Sequence, residues 1–180
     1  MSITMQITTA KQLFAANLQH CELIGGELVM ISPASFDHGR FASKIVGALE
    51  NHVARQALGV VTTAEAGFQI AHNPDTVRAP DVAFVHANRI PCGGVRGFFQ
   101  GAPDLAVEVL SPNDRPVEVA AKIHDWLRAG STAVWIVDPE NRTVTVHGDG
   151  NKAVILTAAD TLQGDDVLPG FSMPVAMIFA

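Results

Sequence analysis

The segment Pro103-Asp104-Leu105-Ala106-Val107-Glu108-Val109-Leu110-Ser111-Pro112 places one carboxylate inside an apolar run. Its valine and leucine content, bounded by prolines, predicts a short and deeply buried strand. A buried ionised carboxylate is costly unless a cation pairs with it or a metal ion binds it. Glu108 is therefore either a hidden ion-pair partner or part of a metal site.

The segments on either side of this strand predict a mixed α/β fold. Helices are predicted over residues 10–19, from a cap at Ser35 or Asp37 to Gly59, and over residues 116–129. The Gly25-Gly26 pair predicts an N-terminal β-hairpin. Further strands are predicted at residues 60–63, 67–71, 81–85, 134–137, 143–146 and 153–156. This order predicts a central mixed sheet with helices packed on it.

Length and composition favour one globular domain over residues 1–180. The hydrophobic fraction is 48% and the charged fraction 17%, which excludes a disordered chain. A formal net charge of -6 offers no broad electrostatic footprint for non-specific nucleic-acid binding. A local basic rim is still open, because four arginines lie in the middle of the chain: Arg78, Arg89, Arg96 and Arg115.

The sequence predicts a cytoplasmic protein. No apolar stretch approaches the ~20 residues that a membrane-spanning helix needs. The segment from Met1 to Thr9 lacks the basic start and apolar core of a secretion signal. Cys21 and Cys92 are isolated, and nothing indicates an exported protein that depends on disulfides.

A second carboxylate is a natural partner for Glu108. Asp81 follows Pro80 and opens the predicted strand from Asp81 to Val85, so it either caps the entry to that strand or meets Glu108. Two carboxylates held close repel each other unless a cation lies between them. Mg²⁺ or Mn²⁺ is the expected cation, because hard oxygen ligands suit these ions and the cysteines and histidines form no zinc-like set.

Lys122 lies on the helix that follows the Glu108 strand, and it shares a helix face with Glu118 and Trp126 at spacings of four residues. An ammonium beside metal-bound water could orient the nucleophile and stabilise charge developing on a phosphate. The alternative is an ordinary surface pair of Glu118 with Lys122, which is worth roughly a few tenths of a kcal/mol.

These three residues resemble the signature of the PD-(D/E)XK nuclease superfamily: Pro80-Asp81, a strand glutamate and a nearby lysine. More narrowly, the chain resembles the Uma-two family of restriction endonucleases. The matching stretches are Gly26-Glu27-Leu28-Val29, His38, Arg78-Ala79-Pro80-Asp81-Val82, Val107-Glu108-Val109-Leu110-Ser111-Pro112, Lys122 with Gly130, Trp135-Ile136-Val137-Asp138-Pro139 and Leu168-Pro169-Gly170-Phe171. Two departures stand out, since Leu110 occupies the usual place of the lysine and Trp126 that of a tyrosine.

The resemblance implies a restriction-endonuclease-like fold, with a mixed β-sheet flanked by helices and extra N- and C-terminal hairpins. It implies Mg²⁺-dependent (or Mn²⁺-dependent) hydrolysis of DNA phosphodiester bonds, by a homodimer where both strands are cut. Asp81, Glu108 and the backbone carbonyl of Val109 would hold the metal. Lys122, in place of the missing strand lysine, would position or activate the attacking water. Glu27 would be a third acidic member; the alternative is a solvated hairpin residue after the glycine turn.

Four further residues are candidates for substrate contact. His38 is either a ligand of substrate or bound water, or a simple surface group near a helix start. Gln69 could face the site from its strand, and Arg89 and Arg96 belong to a glycine-containing loop over residues 88–100 that is expected to be flexible. The rival hypothesis is a non-catalytic nuclease-like scaffold that binds protein or nucleic acid, and whose carboxylates form a residual ion-pair network. Hydrolysis of another phosphate ester is a third.

Overall fold

The computed structural model describes residues 6–148 and 152–180. Residues 1–5, which carry part of the expectation about a secretion signal, lie outside the described range. Within it there are three α-helices, α1 (Ala10–Ala16), α2 (Phe36–Gln56) and α3 (Pro116–Arg128). Among the described residues, no helix combines the length and the apolar character needed to cross a bilayer.

The helices begin where their caps predict. The Ser35 side chain accepts a hydrogen bond from the backbone N–H of His38 and starts α2, while Pro116 occupies the first turn of α3. α1 is shorter than predicted, because Asn17 adopts a left-handed conformation with φ 49° and ends it.

The strands are named in chain order as β1 (Cys21–Ile24), β2 (Glu27–Met30), β3 (Gly59–Thr63), β4 (Phe68–Ala71), β5 (Thr76–Arg78), β6 (Val82–His86), β7 (Phe99–Gln100), β8 (Leu105–Val109), β9 (Ala133–Asp138), β10 (Thr143–His147), β11 (Ala153–Leu156), β12 (Thr161–Gln163) and β13 (Ser172–Pro174). They form a six-stranded sheet with the order β11-β10-β9-β8-β6-β3 and a five-stranded sheet with the order β2-β1-β5-β4-β7. The pair β12–β13 is the expected C-terminal hairpin. The predicted fold class, a mixed α/β arrangement with hairpins at both ends, is confirmed.

The six-stranded sheet lies between two layers, and β8 is at its centre. β8 pairs antiparallel with β6 and parallel with β9. Val107 and Val109 pack in the core on the α2 side, whereas Ala106 packs on the α3 side with Trp126. Glu108 therefore faces α3, as the alternation of strand side chains predicts.

The pairing of β6 with β8 brings the two predicted metal ligands together. Val82 lies opposite Val107 in this antiparallel ladder. One further step in the same register brings Asp81 opposite Glu108. Side chains directly opposite each other on one face have Cβ atoms roughly 5 Å apart.

The segment expected to be a flexible loop over residues 88–100 is structured at both ends. It starts in a short 3-10 turn, Ala87–Arg89, and it ends in β7, which pairs parallel with β4. The expectation of a loop was wrong at residues 99–100, where β7 forms and the rings of Phe99 and Phe68 pack with a centroid distance of 5.6 Å.

Candidate active site

Asp81 is oriented by two donors at the end of β8. Its Oδ2 atom accepts a 2.7 Å hydrogen bond from the backbone N–H of Val109. Nε2 of His38 lies 3.2 Å from the same oxygen. Among the described residues, Oδ1 accepts no hydrogen bond, so one oxygen of this carboxylate has free lone pairs for a cation.

Glu108 is 4% exposed and both of its oxygens are hydrogen-bonded from α3. Nζ of Lys122 donates to Oε2 at 2.9 Å, and Nε1 of Trp126 donates to Oε1 at 2.8 Å. The two donors are four residues apart, so they lie one above the other on the helix face that covers the strand. The structure thus joins the predicted glutamate and lysine directly.

The charges around this pair shift both pKa values. Burial raises the pKa of Glu108 to about 7; the neighbouring Lys122 opposes the rise and the charge of Asp81 adds to it. Burial lowers the pKa of Lys122, but the charges of Glu108 and Glu22 and that of Asp81 outweigh this effect. The net pKa of Lys122 lies above its ordinary value, so its ammonium stays charged at neutral pH.

His38 links two of the predicted ligand residues. Its hydrogen bond to Asp81 raises its pKa, burial opposes that rise, and a hydrogen bond with the backbone of Val109 adds to it. His38 lies in the first turn of α2, which places its ring next to Asp81, and 12% of its side chain is exposed. Its predicted contact with substrate or bound water stays a prediction.

A second buried charge network, not predicted as a unit, lies beside Lys122. The Arg78 guanidinium donates through one nitrogen to Oε2 of Glu22 at 2.8 Å and through another to Oδ2 of Asp125 at 2.7 Å. The other Glu22 oxygen accepts the backbone N–H of Ala79 at 3.1 Å. Arg78 therefore links β1 of the N-terminal hairpin to Asp125 of α3, which lies three residues after Lys122.

The acidic residue that the hairpin contributes to this region is Glu22, and Glu27 lies elsewhere. Glu22 is buried and lines the cleft that contains Glu108 and Lys122. Glu27 is exposed at the start of β2, opposite Ile24 beside the turn, and it does not line that cleft. Strand alternation could have suggested Glu22, because it places this residue on the face opposite the buried Leu23.

The other predicted substrate contacts do not gather at the Asp81–Glu108 pair. Gln69 hydrogen-bonds with Gln100 and lies opposite Val77. Its side chain is therefore on one face of the five-stranded sheet and that of Arg78 on the other. Arg89 forms a 3.0 Å ion pair with Asp104, at the end of β6 and β8 that is remote from Asp81. Arg96 is exposed in the segment between residues 91 and 98. Their substrate contacts stay predictions.

The cleft next to Glu108 has a volume of about 490 Å³. The part of the chain that the structure describes holds no group of three or more His, Cys, Asp or Glu side chains suited to a metal ion. The donors predicted for a metal ion are Asp81 Oδ1, the Glu108 carboxylate and the Val109 carbonyl. This small, all-oxygen set fits Mg²⁺, which usually keeps several waters and takes only one or two carboxylates from the protein.

Comparison with known proteins identifies the family. The model described as "Uma2: Putative restriction endonuclease" matches residues 9–176. The chain belongs to the Uma2 family. Among solved structures, the chain is similar to the crystal structure of a putative nuclease belonging to DUF820 from Anabaena variabilis ATCC 29413, with 20% identity and a TM-score of 0.82. That match covers 95% of this chain and 97% of the other.

At this identity the structural likeness establishes the fold. No curated protein matches the sequence significantly. The resemblance inferred from the motifs is confirmed by the Uma2 match. Membership of Uma2 and the nuclease-like fold together support a nuclease function that acts on nucleic acid, in a family type that generally uses divalent metals.

Proposed function

We propose that the chain is a Mg²⁺-dependent endonuclease that hydrolyses DNA phosphodiester bonds. The observation that carries this proposal is the meeting of Asp81, Glu108 and Lys122 at one end of the β6–β8 pair. A buried carboxylate with a charged lysine on one side and a second carboxylate on the other is an expensive arrangement, and such arrangements concentrate at functional sites.

Asp81, Glu108 and the Val109 carbonyl would hold Mg²⁺ or Mn²⁺, with water completing the coordination. The bound ion would supply positive charge to the phosphate oxygens and acidify a bound water. Val109 N–H and His38 hold Oδ2 of Asp81, so that Oδ1 is left for the cation. Trp126 holds one oxygen of Glu108 by its indole N–H, which fixes the orientation of that carboxylate.

Lys122 would act on the substrate rather than on the metal. Its side chain is 34% exposed and opens on the cleft while its ammonium is held 2.9 Å from Glu108. Because the pKa of Lys122 is raised, this group would act as a fixed positive charge and hydrogen-bond donor toward water or a phosphate oxygen, not as a general base. A second copy of the chain would supply the other active site where both strands are cut.

Two observations favour the rival, a non-catalytic scaffold. Both Glu108 oxygens already have donors, and the chain has a net charge of -6. A residual ion-pair network would have this appearance, and an acidic chain is a poor general binder of DNA.

DNA cleavage separates the two hypotheses. Supercoiled plasmid and a labelled single-stranded oligonucleotide are each incubated with Mg²⁺ or Mn²⁺ and the wild type, Asp81→Asn, Glu108→Gln or Lys122→Met. Matched controls are Glu140→Gln and Lys152→Met, which change exposed side chains outside the cleft. The endonuclease hypothesis expects metal-dependent cleavage that the three site variants lose and both controls keep. Full activity in Glu108→Gln, or cleavage of neither DNA by folded wild type, would support the scaffold.

A further inference from the structure

A second cleft of about 430 Å³ adjoins the candidate active site. It shares Ile31, Ser32 and Arg78 with the Glu108 cleft, and Asp81 belongs to its wall. A substrate bound at Asp81 would therefore extend into this second cleft. Its volume lies within the range of roughly 300–1,000 Å³ that is usual for small-ligand sites.

One wall of this cleft carries two aromatic rings. Phe14 of α1 is 58% exposed, and its ring meets that of Phe98 edge to face, with centroids 5.6 Å apart and an interplanar angle of 81°. Phe98 sits against Gly67, where a Cβ atom would lie 2.4 Å from the ring, so any larger residue at position 67 would displace it. The Phe98 ring thus supports Phe14, whose accessible face can stack on a flat ligand.

The rim of the cleft is polar, and the described lining residues include no lysine and no unpaired arginine. Asn17, Gln19 and His20 line it, and their side chains form no hydrogen bond with another described residue. These groups can both donate and accept, as the edge of a nucleobase requires. The carboxylates of Glu65 and Asp81 also line the cleft, whereas the guanidinium of Arg78 is already paired with Glu22 and Asp125.

This distribution of charge favours a nucleobase over a phosphate as the ligand of the cleft. A phosphate backbone gains affinity from lysines and arginines, and this chain has 12 of them against 18 acidic residues. An uncharged base loses nothing in an acidic cleft and gains from stacking on an aromatic ring. In an intact duplex the bases are stacked on each other, so only an unpaired base can enter.

We propose that the cleft formed around Phe14 and Phe98 binds an unpaired nucleobase next to the scissile phosphate, which makes single-stranded DNA the preferred substrate of the proposed endonuclease. The identity of the ligand rests on that proposed function. The physical basis is separate, since it depends on the two rings and the rim rather than on the metal ligands.

Binding is tested without catalysis. Fluorescence anisotropy follows a labelled single-stranded oligonucleotide and its duplex, in EDTA, with the wild type and Phe14→Leu. The control is Phe36→Leu, which changes another exposed phenylalanine (88% exposed) that does not line the cleft. We expect tighter binding of the single strand, an affinity about 5- to 100-fold weaker in Phe14→Leu, and no more than about a twofold change in the control.

Equal binding of single strand and duplex, or an unchanged affinity in Phe14→Leu, would overturn the inference. The cleavage assay then reports on the proposed function independently, because Glu108, whose replacement in Glu108→Gln should abolish cleavage, does not line the aromatic cleft. Conversely, base binding that needs Phe14 in a protein that cuts no DNA would support the cleft and contradict the endonuclease.

Discussion

The two partners of the Glu108–Lys122 pair are buried to different extents, and their removal should therefore destabilise the protein unequally. The Glu108 side chain is 6% exposed and that of Lys122 is 34% exposed. Lys122→Met leaves a buried carboxylate without its countercharge, whereas Glu108→Gln leaves an ammonium that can turn toward water. The first change should be the more damaging one.

The size of the difference follows from the burial. Removal of one partner of a fully buried pair costs about 3–5 kcal/mol. Because Lys122 is partly exposed and solvent screens its charge, we expect about 2–4 kcal/mol for Lys122→Met above pH 7, where Glu108 of the wild type is ionised. Glu108→Gln keeps an oxygen for the indole N–H of Trp126, so about 1–2 kcal/mol is expected. The double variant should be more stable than Lys122→Met alone, since no charge is left unpaired in the core.

Urea unfolding monitored by tryptophan fluorescence measures these differences, because Trp126 and Trp135 are both buried. Lys152→Met, on the exposed surface, controls for the loss of a lysine. Equal destabilisation by the two single variants, or a double variant less stable than Lys122→Met, would refute the assigned pairing.

Three further changes probe the groups around the site. Arg78→Lys should lower the free energy of unfolding in urea by about 3 kcal/mol or more, because a lysine cannot pair with Glu22 and Asp125 together. Buried Glu22 is then left without full pairing. An unchanged unfolding midpoint would contradict this role of Arg78. His38→Ala should weaken Mn²⁺ binding by about 10- to 100-fold in calorimetric titration, since Asp81 loses an orienting partner, while the exposed His124→Ala serves as control. Glu27→Gln should leave DNA cleavage within about twofold of wild type, and an inactive Glu27→Gln protein would restore the acidic role that the resemblance implied for that residue.

The sequence was sufficient for the features that depend on local pattern. The apolar run around Glu108 predicted a buried strand, and alternation predicted that its carboxylate and Val107 lie on opposite faces. The proximity of Asp81 to Glu108 was inferred from chemistry, since two carboxylates with no local partner need a shared cation. The register of β6 and β8 supplies the geometry of that meeting.

The features that could not be predicted from the sequence depend on contacts between residues far apart along the chain. Arg78 joins Glu22 and Asp125, which are 56 and 47 residues away along the chain, and its own strand has three residues, too few to show a period. The placement of Glu27 came from the resemblance alone, and the hairpin register puts it beside the turn. For Arg89, composition suggested a mobile loop, whereas its ion pair with Asp104 exists only after β6 and β8 have come together.

Metal binding tests the central claim most directly. Titration of the metal-free protein with Mn²⁺, monitored by calorimetry, should detect one site per chain in the wild type and in the exposed control Glu140→Gln. Asp81→Asn and Glu108→Gln should each abolish that site, because each removes one of its two carboxylates. Wild-type binding retained in both variants would contradict the assignment of Asp81 and Glu108 as the metal ligands.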